Sequence, residues 1–247
     1  MQPSPVNSTS EHPSLVILFD IDGTLIRTGG AGGAALQSAM QATFPVPQPE
    51  MVTINGRTDR GIITDLFRAN GIDDTPENLK IFHAQYMEHL LPALQARAGR
   101  VLPGVLSLLD RLIDRPEVDF GLLTGNSRDG ARLKLAHFGL EDYFHWGVFG
   151  DEHHERDDLA RRAFLEVRNR LHPDYEPHRI WVIGDTPADI RCARAIGACV
   201  IAVATGQHPV EELQTHAPDL VLPDLSQPEL LLDLWGLSGT TSDPAAS

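Results

Sequence analysis

Leu15 to Phe19 form an unbroken apolar run, the pattern of a strand buried on both faces, as in a parallel sheet. It ends at a polar stretch, Asp20-Ile21-Asp22-Gly23-Thr24. Small residues follow from Thr28 to Gly33. From Ala34 to about Arg97 the apolar positions recur at helical spacing, interrupted by Pro45, Pro47 and Pro49 and by a turn at Asn55-Gly56. Beyond Pro103-Gly104 the rhythm changes. Helices over Val105–Ile113, Arg128–Phe138, Arg156–Leu171, Pro187–Ile196 and Pro228–Leu234 alternate with strands over Val118–Leu123, His145–Phe149, Arg179–Ile183, Cys199–Ala204 and Leu220–Leu222. This alternation predicts an α/β fold: a Rossmann-like parallel sheet flanked by helices, with a small all-helical domain inserted after the first strand. In residue terms, 14–28 and 100–236 make the α/β core and 29–99 the insertion. Residues 1–13 and 237–247, polar and small, read as disordered tails.

Composition narrows the function classes. The chain has 247 residues, 42% hydrophobic and 22% charged, which is ordinary globular usage. Its net charge of -14 and pI near 5.1 repel phosphate backbones and anionic lipid surfaces, so neither nucleic acid nor a membrane is an expected partner. No apolar run approaches the ~20 residues that span a bilayer. The two cysteines, Cys192 and Cys199, are too few for a disulfide framework, which favours a reducing compartment and a cytoplasmic protein. Cys192 sits between helical alanines and reads as a small buried hydrophobe.

Three polar clusters follow three apolar strands: Asp20 to Thr24, Thr124 to Ser127, and Gly184 to Asp189. Ligands bind outside the carboxyl ends of strands in an open parallel sheet, so the three clusters are expected at one site. Each cluster alone also has a plain structural reading. Asp22-Gly23 is a favoured turn pair, Ser127 suits a helix N-cap, and Thr186, Pro187 and Asp189 make a capping pattern. The first cluster is no calcium loop, because the remaining acidic ligands are missing.

Taken together, the clusters resemble the haloacid dehalogenase-like hydrolases, most nearly a phosphoglycolate phosphatase-like branch with a helical cap. Asp20-Ile21-Asp22-Gly23-Thr24, Leu123-Thr124-Gly125-Asn126 and Gly184-Asp185-Thr186-Pro187-Ala188-Asp189 carry the resemblance, in that family's order. It implies a Mg²⁺-dependent phosphatase acting on a small phosphorylated metabolite, phosphoglycolate-like or a sugar phosphate, as a monomer or homodimer. Asp20 would be the nucleophile and Asp22 the general acid and base. Asp20 and Asp185 would give the metal carboxylates, Asp22 its backbone carbonyl, and Asp189 a direct or water-mediated contact. Thr124, Gly125 and Asn126 would hold the phosphoryl oxygens. The insertion would act as a cap that excludes water and selects the leaving group. Within it, Asn55-Gly56-Arg57-Thr58 reads equally as a substrate anion site, through Arg57 and Thr58, or as a turn with an N-cap.

The family's usual lysine before the last motif is absent. The only lysines are Lys80, in the insertion, and Lys134, on the helix after the threonine motif, which is expected on a solvated face. An arginine must substitute; of Arg156, Arg161 and Arg162, the first is favoured because it stands at a loop-to-helix junction. Arg161, Arg162, Arg168 and Arg170 otherwise read as a charged solvent face. Glu152-His153-His154-Glu155 reads as a solvated loop before a second metal site. Gly30 to Ala35 is a hinge, since a dinucleotide fingerprint would follow a strand directly. A phosphomutase on the same residues and a non-catalytic binding protein are the competing functions. A dehalogenase is disfavoured by Asp22.

Overall fold

The structure is a computed structural model that describes residues 13–151 and 153–238. Residues 1–12 and 239–247, which hold most of the expected tails, and Glu152 lie outside the described residues.

The first strand, β1 (Leu15–Phe19), is wholly buried. A two-residue strand, β2 (Ile26–Arg27), leads into three helices, α1 (Ala31–Thr43), α2 (Asp59–Ala69) and α3 (Pro76–Gln95), and β3 (Arg100–Val101) leads out again. Helix α4 (Val105–Leu112), β4 (Val118–Leu123), α5 (Arg128–His137), β5 (Gly147–Val148) and α6 (Arg156–Arg170) follow. Then come β6 (Ile180–Gly184), α7 (Pro187–Ala195), β7 (Cys199–Val203), α8 (Val210–Thr215), β8 (Leu220–Leu222) and α9 (Pro228–Leu234). Six of the strands form one sheet in the order β5-β4-β1-β6-β7-β8, and each pairing is parallel. β1 therefore lies between β4 and β6, and its two neighbours are reached on opposite sides.

Side chains alternate across the sheet, as the pleat requires. Leu15, Ile17 and Phe19 pack with α4, α5 and α9 through Leu108, Leu109, Ala131, Leu135 and Leu231. Val16 and Leu18 face Leu159, Ala163, Val167, Ile190 and Leu213 of α6, α7 and α8. The apolar run of β1 is continuous because both of its faces are covered.

The helical insertion has its own apolar cluster, including Leu36, Met40, Leu66, Phe67, Phe82 and Leu90. Phe44 and Phe82 each stand edge-on to Phe67, with ring centroids 5.3 Å apart. At its root, β2 and β3 pair antiparallel, Ile26 with Val101 and Arg27 with Arg100. The chain thus enters and leaves the insertion through one short ribbon.

Several expectations need correction. The stretch read as a hinge, Gly30 to Ala35, is helix from its second residue: Gly30, at φ 83°, caps α1, which starts at Ala31 and contains Gly32 and Gly33. The strand expected over His145–Phe149 is only Gly147–Val148, and Arg179 belongs to a 3₁₀ turn. Leu237 is not tail: it is buried in the core cluster and its N–H donates to the Leu232 carbonyl at 2.7 Å.

Candidate active site

The three polar clusters do converge. Asp20 follows the end of β1, Thr124 the end of β4 and Asp185 the end of β6, so adjacent strands deliver all three to one edge of the sheet. Asp20, Asp185 and Asp189 are buried, with one oxygen of each within 4.8 Å of the others. Two glycines permit this crowding. A Cβ on Gly206 would lie 1.7 Å from the Asp185 Oδ2, and one on Gly23, whose φ is +86°, 2.3 Å from it. The amino end of α7 also helps: Thr186 is its N-cap, and the Asp189 Oδ2 accepts from the Thr186 N–H at 3.0 Å and its hydroxyl at 2.7 Å. The expected capping pattern is therefore present, and Asp189 also belongs to the carboxylate cluster.

Burial raises the Asp20 carboxyl to about 6; Arg156 pulls it back, while Asp189 and Asp22 add to the rise. Burial, then Asp189 and Asp20, holds Asp185 well above the usual carboxylate range. The cluster has more negative charge than its surroundings balance. Arg156 supplies the one buried guanidinium there among the described residues. Its Nη2 lies 3.0 Å from the Asp20 Oδ1 and also pairs with the Asp189 Oδ1. Burial works against its charge, but Asp189 and Asp20 outweigh that and raise its pKa. Its Nε has no hydrogen-bond partner. Of the candidate arginines, only Arg156 reaches the site; Arg161 pairs with Asp158 and Arg162 with Glu166 on the surface.

On the β4 side, the Asn126 Nδ2 donates to the Asp22 Oδ2 at 2.8 Å and to the Thr124 Oγ1 at 2.9 Å. Lys134 overturns its expected place. It is 4% exposed, and its Nζ donates to the Asp22 Oδ2 at 2.6 Å and to the Asn126 Oδ1. The signal was available in the sequence. Ala131, Lys134 and Leu135 share a helical face, and Ala131 and Leu135 belong to the core.

Asp20, Asp22, Asn126, Lys134, Arg156 and Asp185 line a cavity of about 530 Å³ between the sheet edge and the insertion, and Thr124 and Asp189 lie behind that lining. The insertion contributes Asp59 and Tyr86, neither singled out by sequence pattern, because their place depends on how α2 and α3 dock. The docking is tight: the Asp59 N–H donates to the Gly125 carbonyl at 2.6 Å, the Arg60 N–H to that of Gly150 at 3.1 Å, and the Ser127 N–H to the Asp59 Oδ2 at 2.7 Å. Of the expected anion site, Thr58 is not on the cavity. It caps α2, accepting from the Gly61 N–H at 3.1 Å, and its hydroxyl donates to the His154 carbonyl at 3.0 Å, so the turn-and-cap reading holds. Arg57 does line the cavity, with its Nη2 held 2.6 Å from the Asp65 Oδ2 and donating to the Gly61 carbonyl at 3.2 Å.

The donor set suits a hard divalent cation, since it is all carboxylate oxygen and under-neutralised. Asp20 and Asp185 are best placed to be its ligands, because both Asp189 oxygens already accept protein donors. No helix among the described residues is long and apolar enough to cross a membrane.

Comparison with known proteins agrees with the geometry. Residues 15–197 match the family model described as haloacid dehalogenase-like hydrolase. A phosphoglycolate phosphatase of Rhodospirillum rubrum is 28% identical over 209 residues, covering 80% of this chain and 83% of that one. One from Chromobacterium violaceum is 30% identical, with 77% and 85% covered. The pyrophosphatase PpaX of Bacillus pumilus is 27% identical, with 85% and 92% covered. Among solved structures, a hydrolase from Pseudomonas syringae superposes with a TM-score of 0.66 at 23% identity, covering 89% of this chain and 98% of that one. CbbY from Rhodobacter sphaeroides, in complex with phosphate, gives 0.65 at 19%, with 86% and 95% covered. These two share the fold.

Proposed function

The chain belongs to the haloacid dehalogenase-like hydrolase family, and from that premise we propose that it is a Mg²⁺-dependent phosphatase of small phosphomonoesters that carries the phosphoryl group transiently on Asp20. The observation that carries this reading is the buried Asp20 carboxylate, paired with Arg156 and flanked by Asp22 on one side and Asp185 on the other.

Phosphomonoester hydrolysis is among the slowest uncatalysed reactions, so splitting it into two displacements is useful. An Asp20 oxygen attacks phosphorus; a P–O bond to Asp20 forms as the bond to the leaving alkoxide breaks. Asp22, protonated, gives its proton to that alkoxide and then takes one from the water that attacks the aspartyl phosphate, releasing phosphate and restoring Asp20. Lys134 and Asn126 both hold the Asp22 Oδ2, which leaves Oδ1 to carry the proton. Arg156 stands in for the family's lysine, neutralising Asp20 through its Nη2 at the edge of the cavity. The Thr124 hydroxyl and the Gly125 and Asn126 amides hold the remaining oxygens. Mg²⁺ on Asp20, Asp185 and the Asp22 carbonyl, with Asp189 behind them, would supply the charge neutralisation that lets a dianionic ester approach these carboxylates.

The test is phosphate release from a panel of small phosphomonoesters, with Mg²⁺ and with EDTA, for the wild type and Asp20→Asn. Metal-dependent release that the substitution abolishes is expected. Release that survives Asp20→Asn would overturn the mechanism.

A further inference from the structure

We propose, resting on the phosphatase reading, that the leaving group is an uncharged, polyhydroxylated skeleton seated between Tyr86, Asp59 and the first turn of α1. A carboxylate-bearing leaving group of the phosphoglycolate type is a poor fit. The cavity of about 530 Å³ is much larger than a phosphoryl group needs, and its insertion side is where the rest of the ester must lie.

Tyr86 is 3% exposed and lines the cavity, yet its hydroxyl makes no hydrogen bond within the described protein. The hydroxyl opens on the cavity, where a ligand or water can complete its hydrogen bonding. Burial, then Asp59 and Asp22, holds its pKa well above the usual tyrosine value, so it stays a hydrogen-bond donor. Gly32 opens the space in front of it: a Cβ there would sit 3.9 Å from the Tyr86 hydroxyl and 3.8 Å from the Lys134 Nζ. The Gly32 and Gly33 amides, in the first turn of α1, have no intrahelical acceptor.

The charges of this wall decide the class of ligand. Lys134 is already matched by Asp22 and Asn126. Arg57 is matched by Asp65. Arg27, the cation without a carboxylate partner, is exposed and donates at 2.6 Å to the Thr205 carbonyl, in the loop that also carries Gly206 beside Asp185. Asp59 has one oxygen on the Ser127 N–H and adds its charge to the wall. An anionic leaving group would meet Asp59, while Lys134 and Arg57 are already paired with carboxylates and only Arg27, among the arginines and lysines described on this cavity, is left without one. Hydroxyl groups can donate to Asp59 and accept from Tyr86 and the glycine amides. The reaction balances as ester plus water giving the polyol and inorganic phosphate.

The experiment compares kcat/KM, with Mg²⁺, for p-nitrophenyl phosphate, sorbitol 6-phosphate, glucose 1-phosphate, 2-phosphoglycolate, fructose 1,6-bisphosphate and phosphoethanolamine. The hydroxylated monophosphates are expected to exceed 2-phosphoglycolate by about tenfold or more, the scale set by unpaired polar groups in a pocket. Tyr86→Phe and Asp59→Asn should each narrow that ratio by about tenfold. If the aryl phosphate is hydrolysed but 2-phosphoglycolate, the bisphosphate or phosphoethanolamine is preferred, this inference fails and the phosphatase reading stands. An unchanged ratio in both variants overturns it as well. No release from any ester by protein of native circular dichroism overturns both.

Discussion

At the scale of single residues, Arg156 and Lys134 are the two buried cations of the candidate site, one paired with Asp20 and Asp189 and the other with Asp22. Arg156 is buried against Asp20 and Asp189, so Arg156→Ala leaves two buried carboxylates without their counter-ion. Removing one partner of such a cluster costs on the order of 3–5 kcal/mol. Urea unfolding of the metal-free variant should show a loss of that size, and phosphate release should fall to near background. Arg161→Ala, in an exposed pair with Asp158, should change neither. Lys134→Met keeps the length of the side chain but leaves the Asp22 Oδ2 with Asn126 alone. Losing a hydrogen bond to a charged group, about 1.5–3 kcal/mol, corresponds to about 10–100-fold in kcat, and steady-state kinetics would read it. Arg156 was legible because a loop-to-helix junction fixed its place; Lys134 was misread because its charge was weighed above the helical face it shares with Ala131 and Leu135. Cys192 was legible as a hydrophobe: burial pushes its thiol up to about 12.

At the scale of elements, local pattern held where packing on both faces is complete. β1, β6 and β7 are apolar runs under helices on each side, so their sequences carry the signal strongly, and β4 does so despite Asp119. The ribbon of β2 and β3 and the short β5 have two residues each, too few to show any period. Helix α1 was misplaced because its glycines argue locally for a hinge, whereas Ala31 and Ala35 are buried in the insertion's core. Two elements carry stability predictions. Gly104, at φ +80°, caps α4, and a Cβ there would meet the Leu225 carbonyl at 1.9 Å. Gly104→Ala should therefore lower the unfolding free energy, read by urea denaturation, by more than the ~1 kcal/mol of a left-handed alanine alone. Thr186→Ala removes the α7 cap, costing about 1 kcal/mol, and takes a donor from Asp189, so its loss of activity should exceed what its stability explains.

At the scale of the whole molecule, the fold gathers carboxylates that its net charge of -14 does nothing to neutralise, and this links stability to pH and to metal. The order of the three strand-end clusters was readable along the chain because a parallel sheet sends successive strand ends to one edge. The insertion side, with Asp59 and Tyr86, was not, because it exists only once α2 has docked on the Gly125 and Gly150 carbonyls. The consequence of the gathered side is measurable. Asp20 has its carboxyl at about 6 in the folded protein against 3.8 for the free side chain. Between those values the folded state binds more protons than the unfolded state, so stability falls as pH rises. A displacement of about two pKa units is worth about 3 kcal/mol, or on the order of 5–10 °C for a chain of this size. Metal-free wild type should thus lose Tm between pH 4.5 and 7, relative to Asp20→Asn, by about two thirds of that amount. Asp185, also raised, adds to the fall in both proteins. A divalent cation takes carboxylates in their ionised form, so on the proposed reading Mg²⁺ should raise Tm more at pH 7 than at pH 5. Calorimetry of both proteins across that range decides it: a difference that grows in favour of the wild type toward pH 7 without metal would show that Asp20 is not held protonated by its surroundings.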